Sequence, residues 1–96
     1  MKGLIISRKV LAKLADKHGV TTKEVEQCFV NRDGENLVDD REPHRTNPPT
    51  KWFVAETNHG RKLKVLFILR NGRVYLKSAY DANATAIATY DEKAYL

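Results

Sequence analysis

Cysteine is nearly absent from this 96-residue sequence, and so are the motifs of most enzyme classes. The single thiol, Cys28, cannot form an internal disulfide, and no cysteines and histidines have the spacing of a zinc site. We therefore expect no metal and no cofactor. No P-loop, dinucleotide-binding fingerprint or Ser-His-Asp set supports another enzyme class.

Long apolar runs are absent as well. The run at residues 4–6 is too short for the apolar region of a signal peptide and far too short to span a membrane. We therefore expect a soluble, cytoplasmic protein with no membrane partner. The length predicts a single domain over residues 1–96.

Acidic residues are outnumbered by basic ones, 12 to 17, which gives a formal net charge of +5. A positive surplus favours association with polyanions. Nucleic acid or an acidic protein is therefore the expected partner.

A β-hairpin over residues 61–80 is the strongest structural signal. Asn71-Gly72 is typical of a type I′ turn, because both central residues of that turn need positive φ. Strict alternation from this turn predicts one apolar core face. Its members are Leu63, Val65, Phe67, Leu69, Val74 and Leu76.

The other face of this hairpin is predicted to be basic. It collects Lys62, Lys64, Arg70, Arg73 and Lys77, with Leu66, Ile68 and Tyr75 among them. Each cation alone is an ordinary solubilising residue. A basic surface with an interleaved tyrosine, however, is typical of binding to RNA or single-stranded nucleic acid.

The remaining segments predict an α+β fold. A short extended segment at residues 3–7 precedes an amphipathic helix that begins at Arg8 and stops at Gly19. Thr21 and Glu24 match a capping box, so a second helix should run from Thr22 to about Asn31. A strand follows at residues 52–57, and an alanine-rich helix extends to about Tyr95. We predict an antiparallel sheet of three or more strands with helices packed on one face.

Two local questions stay open at this point. If the turn after the strand at residues 52–57 has two residues, Trp52, Val54 and Glu56 face the core. If it has three, Phe53 and Ala55 do. The charged segment 32–49 is a solvated loop unless it folds back over the basic face.

In the order and spacing of short motifs, the chain resembles the BrnT family of small ribonuclease toxins from bacterial type II toxin–antitoxin systems, which have a RelE-like α+β fold. The matching segments are KHGV at 17–20, Cys28-Phe29, the D-x-x-x-H element from Asp40 to His44, WFVAE, HGRKLKVLF and SAY. The resemblance implies RNA cleavage by basic and acidic residues on the sheet face, and neutralisation by a partner antitoxin.

One part of the chain departs from the family. The family continues after its last strand with an arginine and an A-T-x-x-E-R run, whereas this sequence has Tyr80, Ala82-Asn83, Ala86 and Ile87. A catalytically weakened or inactive module that binds RNA or protein is therefore the alternative function.

Candidate site residues follow from the basic face and the resemblance together. For proton transfer the candidates are His18, His44 and Glu56, because metal-independent RNA cleavage needs a base and an acid. For RNA binding the cations would stabilise the phosphate charge, and the tyrosines would stack on bases or carry a proton. The candidates for RNA binding are Arg61, Lys62, Lys64, Arg70, Arg73, Tyr75, Lys77 and Tyr80.

Overall fold

The computed structural model describes residues 3–39, 41 and 46–95. Its elements are β1 (Leu4–Ile5), α1 (Arg8–Lys13) with a π-helical continuation (Leu14–His18), α2 (Thr22–Asn31), β2 (Leu37–Val38), β3 (Thr50–Glu56), β4 (Lys62–Arg70), β5 (Arg73–Asp81) and α3 (Ala84–Lys93). Within these ranges, no helix is long and apolar enough to cross a membrane.

These elements confirm the predicted α+β class. The described strands form one sheet in the order β1-β5-β4-β3-β2. Every neighbouring pair is antiparallel except β1 and β5, which are parallel. The short strands β1 and β2 flank the long central hairpin and β3.

Local capping explains where the helices begin. The Ser7 hydroxyl accepts a hydrogen bond from the Val10 amide, and Asn83 Oδ1 accepts one from Ala86. Thr21 and Glu24 form the predicted capping box, with reciprocal bonds of 3.1 and 3.0 Å. The boundaries predicted for α2 are confirmed.

The first helix differs from the expectation of a uniform α-helix to Gly19. Its last five described residues widen into a π-helical turn, and Gly19 ends it with a left-handed φ of +60°. The amides of Gly19 and Val20 both donate to the Leu14 carbonyl. Such turns are frequent at functional sites.

The predicted turn between β4 and β5 is confirmed. Asn71 and Gly72 have φ values of +52° and +74°, and Arg70 lies opposite Arg73. The register continues regularly as far as Phe67, which lies opposite Leu76.

A β-bulge then interrupts the strict alternation that the sequence predicts. Leu66 lies opposite Ser78 while Phe67 lies opposite Leu76, so Lys77 is the extra residue in β5. Beyond the bulge each residue of β5 changes face. Ala79 is buried in the core, and Ser78 and Tyr80 move to the basic face.

Helices cover both faces of the sheet, rather than one face as expected. On the first face, Phe29 of α2 packs against Phe53 and Phe67 with ring centroids 5.0 and 5.5 Å away. On the second face, Tyr90 of α3 packs against Trp52 at 5.9 Å. The reason is that β3 carries apolar side chains on both faces of the sheet, so a helix packs against each face and shields them from water.

The open question about the β3 turn is thereby answered. Thr57 donates to the Arg61 carbonyl at 2.8 Å around a three-residue turn, and Phe53 lies opposite Val65. Phe53 and Ala55 therefore face α2, while Trp52 and Val54 lie under α3. All four are buried.

The predicted core of the hairpin is largely present. Leu63, Val65, Phe67 and Leu76 are buried, and Val74 is half-buried. Leu69 is the exception at 45% exposure, because it lies near the turn, beyond the helices.

We expect Phe67→Ala to lower the free energy of unfolding by roughly 3–5 kcal/mol, because it leaves a cavity between Phe29 and Phe53. Leu69→Ala is the matched control and should cost less than about 1 kcal/mol, since Leu69 is already half-exposed. Urea denaturation of both variants measures the difference. Equal losses would contradict this description of the core.

Candidate functional site

A cleft lies on the second face of the sheet, beside α3. It encloses about 420 Å³. The end of α1 and the π-helical turn contribute one wall, with Lys13, Lys17 and His18. The opposite wall contains Asp39, Arg41, Thr46 and Thr50, and the floor contains Leu66, Lys77, Ser78 and Tyr80. We call this region the cationic cleft, because four of these side chains are lysine or arginine.

The π-helical turn brings His18 to the edge of β5. The imidazole lies against the Tyr80 ring, with centroids 5.2 Å apart and planes tilted by 44°. Desolvation lowers the pKa of His18 below its ordinary value of 6.5, and the positive charges of Lys17 and Lys13 lower it further, against the opposing charge of Asp81. His18 is therefore neutral at pH 7 and able to accept a proton.

Asp39 and Arg41 form the firmest ion pair of the cleft. Arg41 Nε and Nη2 donate to the two carboxylate oxygens of Asp39 at 2.8 and 3.0 Å. The Asp39 side chain is buried, whereas that of Arg41 is half-exposed. The hydrogen bonds from Arg41 lower the pKa of Asp39, so this carboxylate is ionised at neutral pH and fixes the guanidinium.

Arg41 also connects the two walls. Its pKa is raised, first by the hydrogen bonds to Asp39 and also by the nearby Tyr80 side chain. Since Tyr80 in turn contacts His18, a chain of four side chains crosses the cleft in the order Asp39, Arg41, Tyr80, His18. This chain places a fixed cation, a phenol and a neutral imidazole side by side.

A recess adjoins the cleft between β2, β3 and α3. Lys64 lies here, with its ammonium nitrogen 4.5 Å from the centre of the Trp52 ring. Burial lowers the pKa of Lys64, and the nearby charge of Arg41 lowers it further. This ammonium is thus partly desolvated, which strengthens its interaction with an incoming anion.

The structure brings together some of the predicted site residues. His18, Lys77 and Tyr80 line the cationic cleft, and Lys64 lies next to Tyr80 in the register. Lys77 reaches the cleft as the bulged residue and not through simple alternation. His44 lies outside the described residues.

Other predicted residues lie elsewhere on the sheet. Arg70 and Arg73 flank the hairpin turn, which is about 13 Å along β4 from the cleft floor at Leu66. Tyr75 is half-buried on the same side of the bulge as this turn. Glu56 and Lys62 are paired with each other at the opposite end of the sheet, beside α3.

Arg61 occupies a third location, on the face covered by α2. Its guanidinium donates to Asp81 at 2.7 and 3.1 Å and to Glu24 at 3.1 Å. It also donates to the carbonyls of His18 and Gly19 at 3.2 and 3.0 Å. These contacts hold the end of the π-helical turn, and with it His18, against β5 and α2.

Several residues of the cleft escaped sequence analysis. Lys13 and Lys17 have only the pattern of a solvated helix face, and Ser78 reaches the floor through the bulge. The Ser78 hydroxyl is buried and has no hydrogen-bond partner in the part of the chain that the structure describes. One sequence feature could have pointed to Asp39 and Arg41, because both come shortly after the apolar pair Leu37-Val38.

Comparisons with known proteins add no further information. No family model, curated protein or solved structure matches the chain. The resemblance to BrnT toxins therefore stays a prediction, and the site must be interpreted from its own geometry.

We expect the imidazole of His18 to titrate below pH 6.5 in the folded protein. Lys17→Gln should raise this midpoint, because it removes the charge with the larger of the two repelling effects. Because the pKa of His18 is lower in the folded than in the unfolded protein, protonation favours unfolding. The free energy of unfolding therefore falls as the pH drops below 6.5, which is opposite to the effect of a salt-bridged histidine. NMR titration of the ring protons measures the midpoint. A value at or above 6.5 would contradict the assignment of His18 as a neutral base.

Proposed function

We propose that the chain is a small ribonuclease toxin of the BrnT kind, which binds single-stranded RNA in the cationic cleft and cleaves it without a metal. The observation that carries this proposal is that Arg41, Tyr80 and His18 line the same cleft, with the His18 and Tyr80 rings in contact. A cation, a phenol and a neutral imidazole are the groups that this chemistry needs.

The charges of the cleft support RNA as the ligand. Lys13, Lys17, Arg41 and Lys77 line it, and Lys64 lies next to it. Among the described lining residues the only carboxylate is Asp39, and it is already paired with Arg41. The half-exposed ring of Tyr80 adds a stacking surface for a base, and cations with an aromatic ring are the usual combination in single-strand binders.

The geometry suggests a mechanism in which His18 takes the proton of a ribose 2′-hydroxyl. The 2′-oxygen then forms a bond to the adjacent phosphorus, the bond from phosphorus to the 5′-oxygen breaks, and a 2′,3′-cyclic phosphate results. Arg41 and Lys77 stabilise the extra negative charge on the phosphate oxygens. The Tyr80 hydroxyl protonates the departing 5′-oxygen, and the positive charge of the nearby Arg41 stabilises the phenolate that this leaves.

The second candidate function is a binding module that no longer cleaves. The sequence favours it, since Tyr80 stands where the family has an arginine and no glutamate follows at the family position. An antitoxin with an acidic segment would compete with RNA for the cationic cleft in either case. Cleavage and binding therefore have to be measured separately.

Binding to single-stranded RNA should be chiefly electrostatic. We expect Lys77→Ala and Lys64→Ala each to flatten the dependence of log affinity on log salt by about 0.7, the value for one phosphate contact with a single strand. Lys23→Ala is the matched control, since Lys23 is exposed on α2 and away from the cleft. Fluorescence anisotropy with a labelled oligoribonucleotide measures the slopes. An affinity independent of salt would favour a protein partner instead.

Cleavage should yield 2′,3′-cyclic phosphate and 5′-hydroxyl ends, with and without EDTA. We expect His18→Ala to lower the rate by ~10²–10⁴-fold and Tyr80→Phe to lower it while retaining the ring, because each loses a proton-transfer group. His59→Ala is the control, since His59 is exposed in the turn before β4. Gel analysis of a labelled RNA measures the rates. Full activity of His18→Ala would exclude this mechanism, and binding without cleavage by the parent protein would leave the binding module.

A further inference from the structure

The recess beside the cleft is a site in its own right. It encloses about 370 Å³, which lies at the lower end of the ~300–1,000 Å³ typical of ligand pockets. Asp39, Arg41 and Tyr80 line both the recess and the cationic cleft. A ligand whose phosphate lies in the cleft can therefore extend directly into the recess.

The walls of the recess present hydrogen-bond donors. Arg41, Lys64 and Lys93 line it. Both carboxylate oxygens of Asp39 already accept from Arg41, and Asn83 Oδ1 already accepts from the α3 backbone. Thr85 and Thr89 add hydroxyls, which can donate or accept. Donors therefore outnumber the remaining acceptors among the side chains that face a ligand here.

The volume of the recess is sufficient for one nucleobase, and its wall includes two aromatic rings. Trp52 forms part of the wall, but its ring already contacts Lys64 and Tyr90, so it bounds the recess and is not a stacking partner. Tyr80 lies at the border with the cleft and is half-exposed. An unstacked base entering from the cleft would pass this ring first.

We propose that the recess holds one keto-bearing nucleobase, guanine or uracil, of the RNA strand whose phosphate lies in the cationic cleft. This inference rests on the proposed function. Guanine offers O6 and N7 as acceptors, and uracil offers its carbonyl oxygens, which match a donor-lined wall. Adenine and cytosine would instead direct an exocyclic amino group at Lys64 and Arg41, leaving donors facing donors.

Uridine and cytidine provide the sharpest comparison, because they are almost equal in size. They differ at the 4-position, where uridine has a keto group and cytidine has an amino group. Trp52 is the single tryptophan of the chain and is only 8% exposed, so its fluorescence reports occupancy of the recess. We expect the uncharged nucleoside uridine to change this fluorescence at about tenfold lower concentration than cytidine, the usual value of one good donor–acceptor match.

A pair of variants separates the recess from the cleft. Ala86→Phe fills the recess, since Ala86 lines it, and should abolish the preference for uridine. Ala88→Phe adds the same ring to an exposed position of α3 and should leave the preference intact. Circular dichroism of both variants checks that α3 still forms. If Ala86→Phe does not fold, Lys64→Met replaces it, and the loss of one donor should reduce the preference.

Hexauridylate and hexacytidylate distinguish the two proposals, since they carry the same charge. Tighter binding of hexauridylate by the parent protein, lost in Ala86→Phe, supports the recess. Equal binding of the two oligonucleotides overturns the recess while RNA binding in the cleft stands. If neither oligonucleotide binds at low salt, the proposed function fails and this inference fails with it.

Discussion

The extra residue in β5 determines which side chains the sheet presents to the cleft. Without the bulge at Lys77, Ser78 and Tyr80 would face α2, and Ala79 would lie on the basic face. With it, Tyr80 comes between His18 and Arg41. A bulge leaves one residue unpaired and disturbs the ladder, so it costs stability locally. The same bulge places Ala79 in the core and produces the arrangement on which the proposed chemistry depends.

Much of the fold could be predicted because its signals are local. The Asn71-Gly72 turn needs only two residues that tolerate positive φ, and the capping box of α2 needs only Thr21 and Glu24. These signals fixed the hairpin register near the turn and the start of a helix. The basic face was predicted only in part, since alternation counted from the turn is valid as far as the bulge and fails beyond it.

The rest of the site depends on contacts between distant segments. The π-helical turn that aims His18 is held by Arg61, more than 40 residues away in sequence, through the His18 and Gly19 carbonyls. The pairing of Asp39 with Arg41 is local, but its position over the sheet comes from the hydrogen bond between Asp39 and Thr50 in β3. Similarly, no pattern within 84–93 shows that α3 covers the face opposite α2. Such relations exist only once the sheet has formed.

Two arginines show how differently the same side chain is used. Arg61 was expected to bind phosphate, but its side chain is only 29% exposed and its guanidinium donates to two carboxylates and two carbonyls, so few donors remain for a ligand. Arg41 donates to one carboxylate only, and its side chain is 54% exposed. A planar fork with five N–H groups can be anchored on one side and still bind a phosphate on the other. Arg61 therefore stabilises the walls of the cleft, and Arg41 is the arginine with donors left for an anionic ligand there.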